Sequence, residues 1–273
     1  EMYEAYWKLT ARPFSQTAEP ALFYRSRSVQ SALLRMQYAI ENLNGPCVVP
    51  GMTGTGKSAL IRYFAAEYPR LRPFVHIVFP ALSADELTRM ILAELLTDTD
   101  VAVPASREAV FREIRSALRR HTLQGRRPLL FFDDAHQLSD EALLQTVLPL
   151  LTLAESDPNI QLSVILAGQP ILLPRIRRFG ELSERVTAAS PLHGFTAAET
   201  SEYVQQCLQL AGAERPLFSD DALTALHDVS GGIPRRINRI GDMALLVGFA
   251  EQRTIIAAEQ IESLAGELLP NAA

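Results

Sequence analysis

The sequence holds only two cysteines in 273 residues, Cys47 and Cys207, far apart and each inside an apolar stretch. Their spacing suits neither a thiolate metal site nor a disulfide framework, so a reducing cytoplasm is the expected compartment. No run approaches the ~20 consecutive apolar residues that a membrane helix needs. The opening residues, Glu1 to Lys8, lack the basic stretch and apolar core of a secretion signal. Glu1 ahead of Met2 reads as a remnant before the natural start, and a longer natural protein is free to continue past Ala273. Excess positive charge is missing too: the formal net charge is -5, so no global field draws the molecule onto nucleic acid and only a local basic strip remains open. Internal repeats and low-complexity segments are absent.

What is present is an ordinary globular composition, 48% hydrophobic and 21% charged, in a chain long enough for one large α/β domain and a smaller one. Apolar runs of strand length fall at Cys47 to Val49, Phe74 to Phe79, Leu129 to Phe132, Leu162 to Ala167 and Val186 to Ala189. Between them lie stretches of helical spacing: Lys57 to Tyr68, a helix capped by Ser83 with Glu86 completing a capping box, Arg107 to Thr122, and a helix from Ser139 to about Glu155. Such alternation predicts a parallel sheet with right-handed crossovers, covered on both faces. After Thr196 the pattern turns helical throughout, at Ala197 to Leu210, Asp220 to Asp228, Pro234 to Phe249 and Ala257 to Leu268. The expected organisation is an entry segment over 1–45, an α/β core over 46–192 and a helical domain over 193–273.

Gly51-Met52-Thr53-Gly54-Thr55-Gly56-Lys57-Ser58 fits G-x-x-x-x-G-K-[ST] and stands between an apolar strand and a helix, where that motif has its meaning. The glycines allow a loop whose backbone N–H groups point inward at phosphate oxygens, and the following helix adds the positive end of its dipole. Lys57 is placed to reach the β- and γ-phosphates, and the Ser58 hydroxyl to meet Mg²⁺. Asp133 ends the apolar run Leu129 to Phe132, where a second strand delivers a carboxylate to the metal, and Asp134 follows as a group to polarise the attacking water. Two adjacent carboxylates after a buried strand are costly without a cation.

Three further positions carry two readings each. Gln169 ends the Leu162 to Ala167 strand and is either a γ-phosphate contact or a turn residue before Pro170. Arg185 is an arginine finger for a neighbouring subunit or a surface cation paired with Glu181 or Glu184, with Arg175, Arg177 and Arg178 competing for the role. Arg235, opening a helix after Gly231-Gly232-Ile233-Pro234, bends back over the phosphates or belongs to a basic face with Arg236 and Arg239.

These pieces occur in one order at suitable intervals: the phosphate loop, Asp-Asp-Ala-His-Gln-Leu, Gly-Gln-Pro, Ser-Glu-Arg-Val and Gly-Gly-Ile-Pro-Arg-Arg-Ile-Asn. Together they resemble the AAA+ ATPases, specifically the ExeA-type branch named for general secretion pathway protein A, which is related to transposition regulators. Tyr3 to Leu9, Arg12 to Ser15, Pro20, Leu22 to Tyr24 and Ala32-Leu33 look like that branch's entry segment. The resemblance covers residues 2 to 268. It implies a P-loop NTPase (AAA+) fold, an α/β protein with a five-stranded parallel sheet sandwiched by helices and a small all-α lid, that binds ATP with Mg²⁺ and works as an oligomer. By position it makes Gly51, Thr53, Gly54, Thr55, Gly56, Lys57, Ser58 and Ala59 the Walker A loop, Asp133 with Ser58 the magnesium ligands, and Asp134 the catalytic carboxylate. It likewise makes Gln169 sensor 1, Arg185 the finger and Arg235 sensor 2, and puts Pro13 and Phe14 near the adenine. The chain departs from the branch in carrying Asp134 where Glu is usual, one methylene shorter, and in having Pro50 directly before the loop.

For the work done, three readings compete. The first is a cytoplasmic motor of a secretion or pilus-type envelope system with a protein partner. The second is a DNA-bound transposition regulator, to which Arg112, Arg115, Arg119, Arg120, Arg126 and Arg127 would supply the basic strip. The third is a nucleotide-gated scaffold with weak hydrolysis. The entry segment favours the first, and Glu108 and Glu113 partly offset the strip.

Overall fold

A computed structural model describes residues 3–14, 23–42, 45–78, 81–96 and 104–268. Ser15, Pro20, Leu22, Phe79 and Pro80 lie outside the described residues. The chain forms two compact units: Arg27–Thr53 with Lys57–Leu192, and Glu1–Ser26 with Gly54–Gly56 and His193–Ala273. The stretch read as one entry segment, 1–45, is thus divided between them at Ser26.

The first unit is built on five parallel strands in the order β2-β3-β4-β1-β5: β1 Cys47–Pro50, β2 Phe74–Ile77, β3 Leu129–Phe132, β4 Ser163–Gly168 and β5 Ala188–Ala189. Val48, Val75, Ile77, Leu130, Phe132, Val164 and Leu166 join one apolar cluster. The residues alternating with them, among them Cys47, Val49, Phe131 and Ile165, project to the opposite face and are buried as well. Burial on both faces explains runs of unbroken apolar residues rather than alternation. Pairing of Pro50 with Gly168, and of Phe132 with Leu166, brings the carboxyl ends of β1, β4 and β3 level. In an open parallel sheet that edge is where ligands bind.

Helices α2 Arg27–Asn42, α3 Lys57–Glu67, α4 Ala84–Leu95 and α5 Arg107–Leu123 belong to this unit. Ser83 and Glu86 form the expected reciprocal cap on α4. The single helix expected from Ser139 is instead broken into α6 Asp140–Ala142, a π-helical stretch Leu143–Val147 and α7 Leu148–Ser156. The cause is Pro149, which has no N–H to offer the carbonyl of Gln145 one turn back. Arg107 compensates, donating to both the Gln145 carbonyl and its side-chain oxygen. Strand β2 ends at Ile77, and β5 is shorter than its apolar run, starting at Ala188. Helices α8 Leu172–Arg177 and α9 Gly180–Arg185 complete the unit.

The second unit packs α10 Ala197–Leu210, α11 Asp220–Ser230, α12 Pro234–Ala250 and α13 Ala258–Leu268 around a separate core. Thr196 and Glu199 form a capping box on α10, and Gly231 closes α11 in the left-handed region. The amino-terminal segment, with its short α1 Glu4–Trp7, docks on α12. Trp7 Nε1 donates to the Leu245 carbonyl at 2.8 Å, Tyr3 hydrogen-bonds Asp242, and the Phe14 ring lies against Gly241. A Cβ at Gly241 would come within 2.7 Å of that ring. Gly241→Val should therefore destabilise this unit by about 1–3 kcal/mol through overpacking; an unchanged thermal midpoint would mean the segment does not dock there.

Candidate nucleotide and magnesium site

Strand β1 runs into the glycine loop, and Gly51 stays in the sheet by donating its N–H to the Gly168 carbonyl at 2.9 Å. Gly54 and Gly56 take φ of 86° and 93°, a backbone that L-residues avoid and that lets a short loop turn its N–H groups inward. Lys57 opens α3 with its side chain curled back: Nζ donates to the carbonyls of Gly51 and Met52 at 2.8 and 2.9 Å. The residue is 7% exposed, so its cation is held at the loop's own ring. Thr55 is buried beside it, and Ser58 and Ala59 continue the first helical turn.

The carboxylate expected on the second strand is there. Asp133 follows β3, and its Oδ2 accepts a hydrogen bond from Ser58 Oγ at 2.5 Å across 75 residues of sequence. A serine hydroxyl that gives its proton to a carboxylate keeps its lone pairs for a cation, so the pair fits one hard divalent ion. Among the described residues no three carboxylate, imidazole or thiol groups converge as a metal cage. Mg²⁺ is usually held by one or two protein oxygens completed by phosphate and water, and Ser58 Oγ and Asp133 Oδ2 are two such oxygens.

Burial alone would raise the Asp133 carboxyl. Hydrogen bonds from His76, Ser58 and the Asp134 N–H outweigh it and hold the group below the usual carboxylate range. Stability from these bonds is present above the unfolded carboxylate pKa and is lost as pH falls through the lower folded value.

His76 was not singled out by the sequence. It sits on β2, opposite Phe131 in register, with Nε2 3.2 Å from Asp133 Oδ2. Its ring stacks on Phe131 at 4.6 Å and 14°. A lone imidazole in an otherwise apolar strand was the available signal.

Asp134 adopts φ 48° and ψ 36°, and its side chain is exposed. Left-handed backbone is tolerated best by Gly, Asn and Asp among the common residues. Its Oδ1 lies 3.9 Å from His136 Nδ1, a buried nitrogen with no hydrogen-bond partner. Arg175 clamps the same loop by donating to the His136 carbonyl at 2.9 Å and to Asp140. Gln169 reaches the glycine loop, with Nε2 3.4 Å from Thr53 Oγ1.

Arg185 ends α9, and its ionic partner is neither Glu181 nor Glu184. It pairs with Glu155 at 3.0 Å and donates to the backbone carbonyl, not the carboxylate, of Glu181. Arg177 and Arg178 are exposed on the surface. In the helical unit the Arg235 N–H donates to the Gly54 carbonyl at 3.2 Å, the loop tip being part of that unit. Phe14 is 4% exposed, its ring committed to Gly241 and edge-on to Phe218, so it offers no free face to a base; Pro13 is half-buried.

Three arginines of the α5 strip are held in ion pairs within the unit while their side chains stay largely exposed. Arg112 pairs with Glu108, while Arg115 and Arg119 both turn onto Asp157, whose side chain is 2% exposed. Arg127 donates to the carbonyls of Ile40 and Leu162. Arg112, Arg115, Arg119, Arg120 and Arg126 are all exposed, and Arg127 is half-buried.

Residues 40–176, half of the chain, match the family described as an AAA domain. The chain belongs to the AAA family. A curated AAA relative, general secretion pathway protein A of Aeromonas hydrophila, is 34% identical over 251 residues, covering 91% of this chain and 45% of that protein. The chain thus spans less than half the length of the relative it matches. Solved AAA+ structures share the fold at low identity. The Aeropyrum pernix ORC2 protein, in ADPNP–ADP complexes, aligns at a TM-score of 0.69 with 15% identity, covering 94% of this chain and 71% of that one. Cdc6p from Pyrobaculum aerophilum gives 0.68 with 18% identity, covering 91% and 68%. The parallel five-stranded sheet with flanking helices is the AAA+ arrangement that the resemblance implied.

Proposed function

We propose that this chain binds ATP with Mg²⁺ and hydrolyses it, and that it works as a homo-oligomer in the cytoplasm serving a secretion or pilus-type envelope system. The observation that carries the nucleotide reading is the convergence of Ser58 and Asp133 beside a buried Lys57. A lysine, a hydroxyl and a carboxylate brought to the carboxyl edge of a parallel sheet, next to a glycine loop, match the needs of a triphosphate and its cation. Mg²⁺ would be held by Ser58 and Asp133 and would neutralise charge on the phosphate oxygens. Asp134 is the group that orients the attacking water, and Gln169 the one that reaches from β4 to the γ-phosphate. Gly51 and Thr53 to Ala59 cradle the phosphates. Pro13 and Phe14 are the residues proposed to lie near the adenine.

Arg185 is the proposed finger on a neighbour's phosphate and Arg235 the cation acting within the chain. In that reading the Glu155 pairing of Arg185 is a resting state exchanged on assembly. The envelope role rests on the name of the Aeromonas hydrophila relative. Among the described residues no helix is long and apolar enough to cross a membrane.

The test is the molecular mass in solution with Mg·ATP, with and without double-stranded DNA. Assembly with ATP alone supports the reading, and assembly only on DNA would replace it with a DNA-bound regulator. Arg185→Ala should abolish ATP-dependent assembly and lower turnover about a thousandfold, the lower range for arginine fingers. Full turnover and assembly in that variant would remove Arg185 from the site.

A further inference from the structure

We infer that His76 is a positioning residue for the cation site, holding the Asp133 carboxylate in the orientation in which it and Ser58 together receive a divalent ion. This rests on the nucleotide reading above and adds to it a residue outside the Walker motifs.

Three observations converge. Asp133 Oδ2 faces two groups, Ser58 Oγ at 2.5 Å and His76 Nε2 at 3.2 Å, while Oδ1 accepts from the Asp134 N–H at 3.0 Å. Of the two side chains, Ser58 is the one whose lone pairs are required by the cation. The Asp134 N–H holds Oδ1, but without His76 the Oδ2 atom would be held only by a group that must also serve the metal. His76 supplies an independent anchor.

The imidazole is itself fixed. It stacks on Phe131 at 4.6 Å and lies 6.0 Å from Phe74, and the β2–β3 register places it beside the strand that ends in Asp133. The two aromatic neighbours determine the ring plane, so Nε2 has little freedom to point elsewhere. Donation from Nε2 to the carboxylate also sets the tautomer. This is the arrangement by which an outer group orients a metal ligand, and loss of such groups typically costs ten- to a hundredfold in metal affinity.

The experiment is titration of the full chain with a fluorescent N-methylanthraniloyl ATP, in EDTA and at a series of free Mg²⁺ concentrations, for the unsubstituted chain, His76→Phe and His76→Gln. His76→Phe keeps an aromatic ring in the stack and removes the donor. His76→Gln restores an N–H close to the Nε2 position. The expected result is an unchanged affinity in EDTA for all three. In His76→Phe the Mg²⁺ concentration giving half of the metal-dependent tightening should rise about tenfold, and His76→Gln should recover most of that loss.

Equal Mg²⁺ dependence in His76→Phe and the unsubstituted chain overturns the inference. So does a loss of affinity in EDTA that equals the loss in Mg²⁺, because that marks a general structural defect. If His76→Phe fails to fold, His76→Leu, which also lacks the donor, is read by the same two criteria, with His76→Gln as the rescue. Failure of the unsubstituted chain to bind the nucleotide under either condition would overturn the proposed function itself and the inference with it.

Discussion

Lys57→Ala should leave a folded chain that no longer holds a nucleotide. The Lys57 ammonium is buried at the first turn of α3 and bonded to the carbonyls of Gly51 and Met52. Phosphate oxygens arriving in the loop exchange those neutral partners for a full charge pair. At 4 Å and an effective dielectric of about 20, such a pair is worth roughly 4 kcal/mol, or nearly a thousandfold in affinity. Part of that offsets the bonds given up, so a loss of at least ~100-fold is expected in a calorimetric titration with ATP. The fold should survive, because alanine is the best helix former at a helical position and the change removes a buried charge. Lys57→Arg should fail as well, since a planar fork cannot replace a compact ammonium inside so small a ring. Binding by Lys57→Ala within threefold of the unsubstituted chain would mean that the loop does not act on phosphates.

Asp134→Asn should separate binding from chemistry. Its carboxylate follows Asp133 without contributing to the Ser58 or His76 bonds, and its side chain is exposed at the mouth of the sheet edge. An amide keeps the size and the tolerance for the left-handed backbone at φ 48°, so structure and ATP affinity should hold. What disappears is the acceptor for the water's proton, and turnover should fall by about 10²–10⁴. Asp134→Glu carries the opposite expectation on both axes. If Asp134 orients the attacking water as proposed, the added methylene should extend the carboxylate's reach and raise turnover. The left-handed residue then costs about 1 kcal/mol in stability. A Glu variant that is both slower and as stable as the unsubstituted chain would contradict this account of why an aspartate stands there.

Much of the candidate site's geometry was legible because its signals are local. The glycine loop has fixed spacing between a strand and a helix, and Asp133 is announced by the buried run Leu129 to Phe132. The helices after Thr196 show their period and their caps. What sequence did not show depends on partners far along the chain. Asp157 lies 42 residues from Arg115 and 38 from Arg119, and no periodicity predicts that these two arginines share it as a partner. His76 acquires its meaning only through register with Phe131. The break in the helix after Ser139 was signalled by Pro149, but the compensating Arg107 belongs to a different helix. Helices α8 and α9 are six residues each, too short for a period to emerge. The docking of Tyr3, Trp7 and Phe14 on α12 spans more than 200 residues and leaves no local trace.

The order of strands has a consequence for how the protein is made. Strand β4 is synthesised after β1 and β3, yet it is inserted between them in the sheet. Until residues 163–168 have left the ribosome, Ser58 and Asp133 have no scaffold that holds them together. A nascent chain stalled before Ser163 should therefore carry the whole glycine loop and both carboxylates and still be unable to retain Mg·ATP, acquiring that ability in one step when β4 emerges.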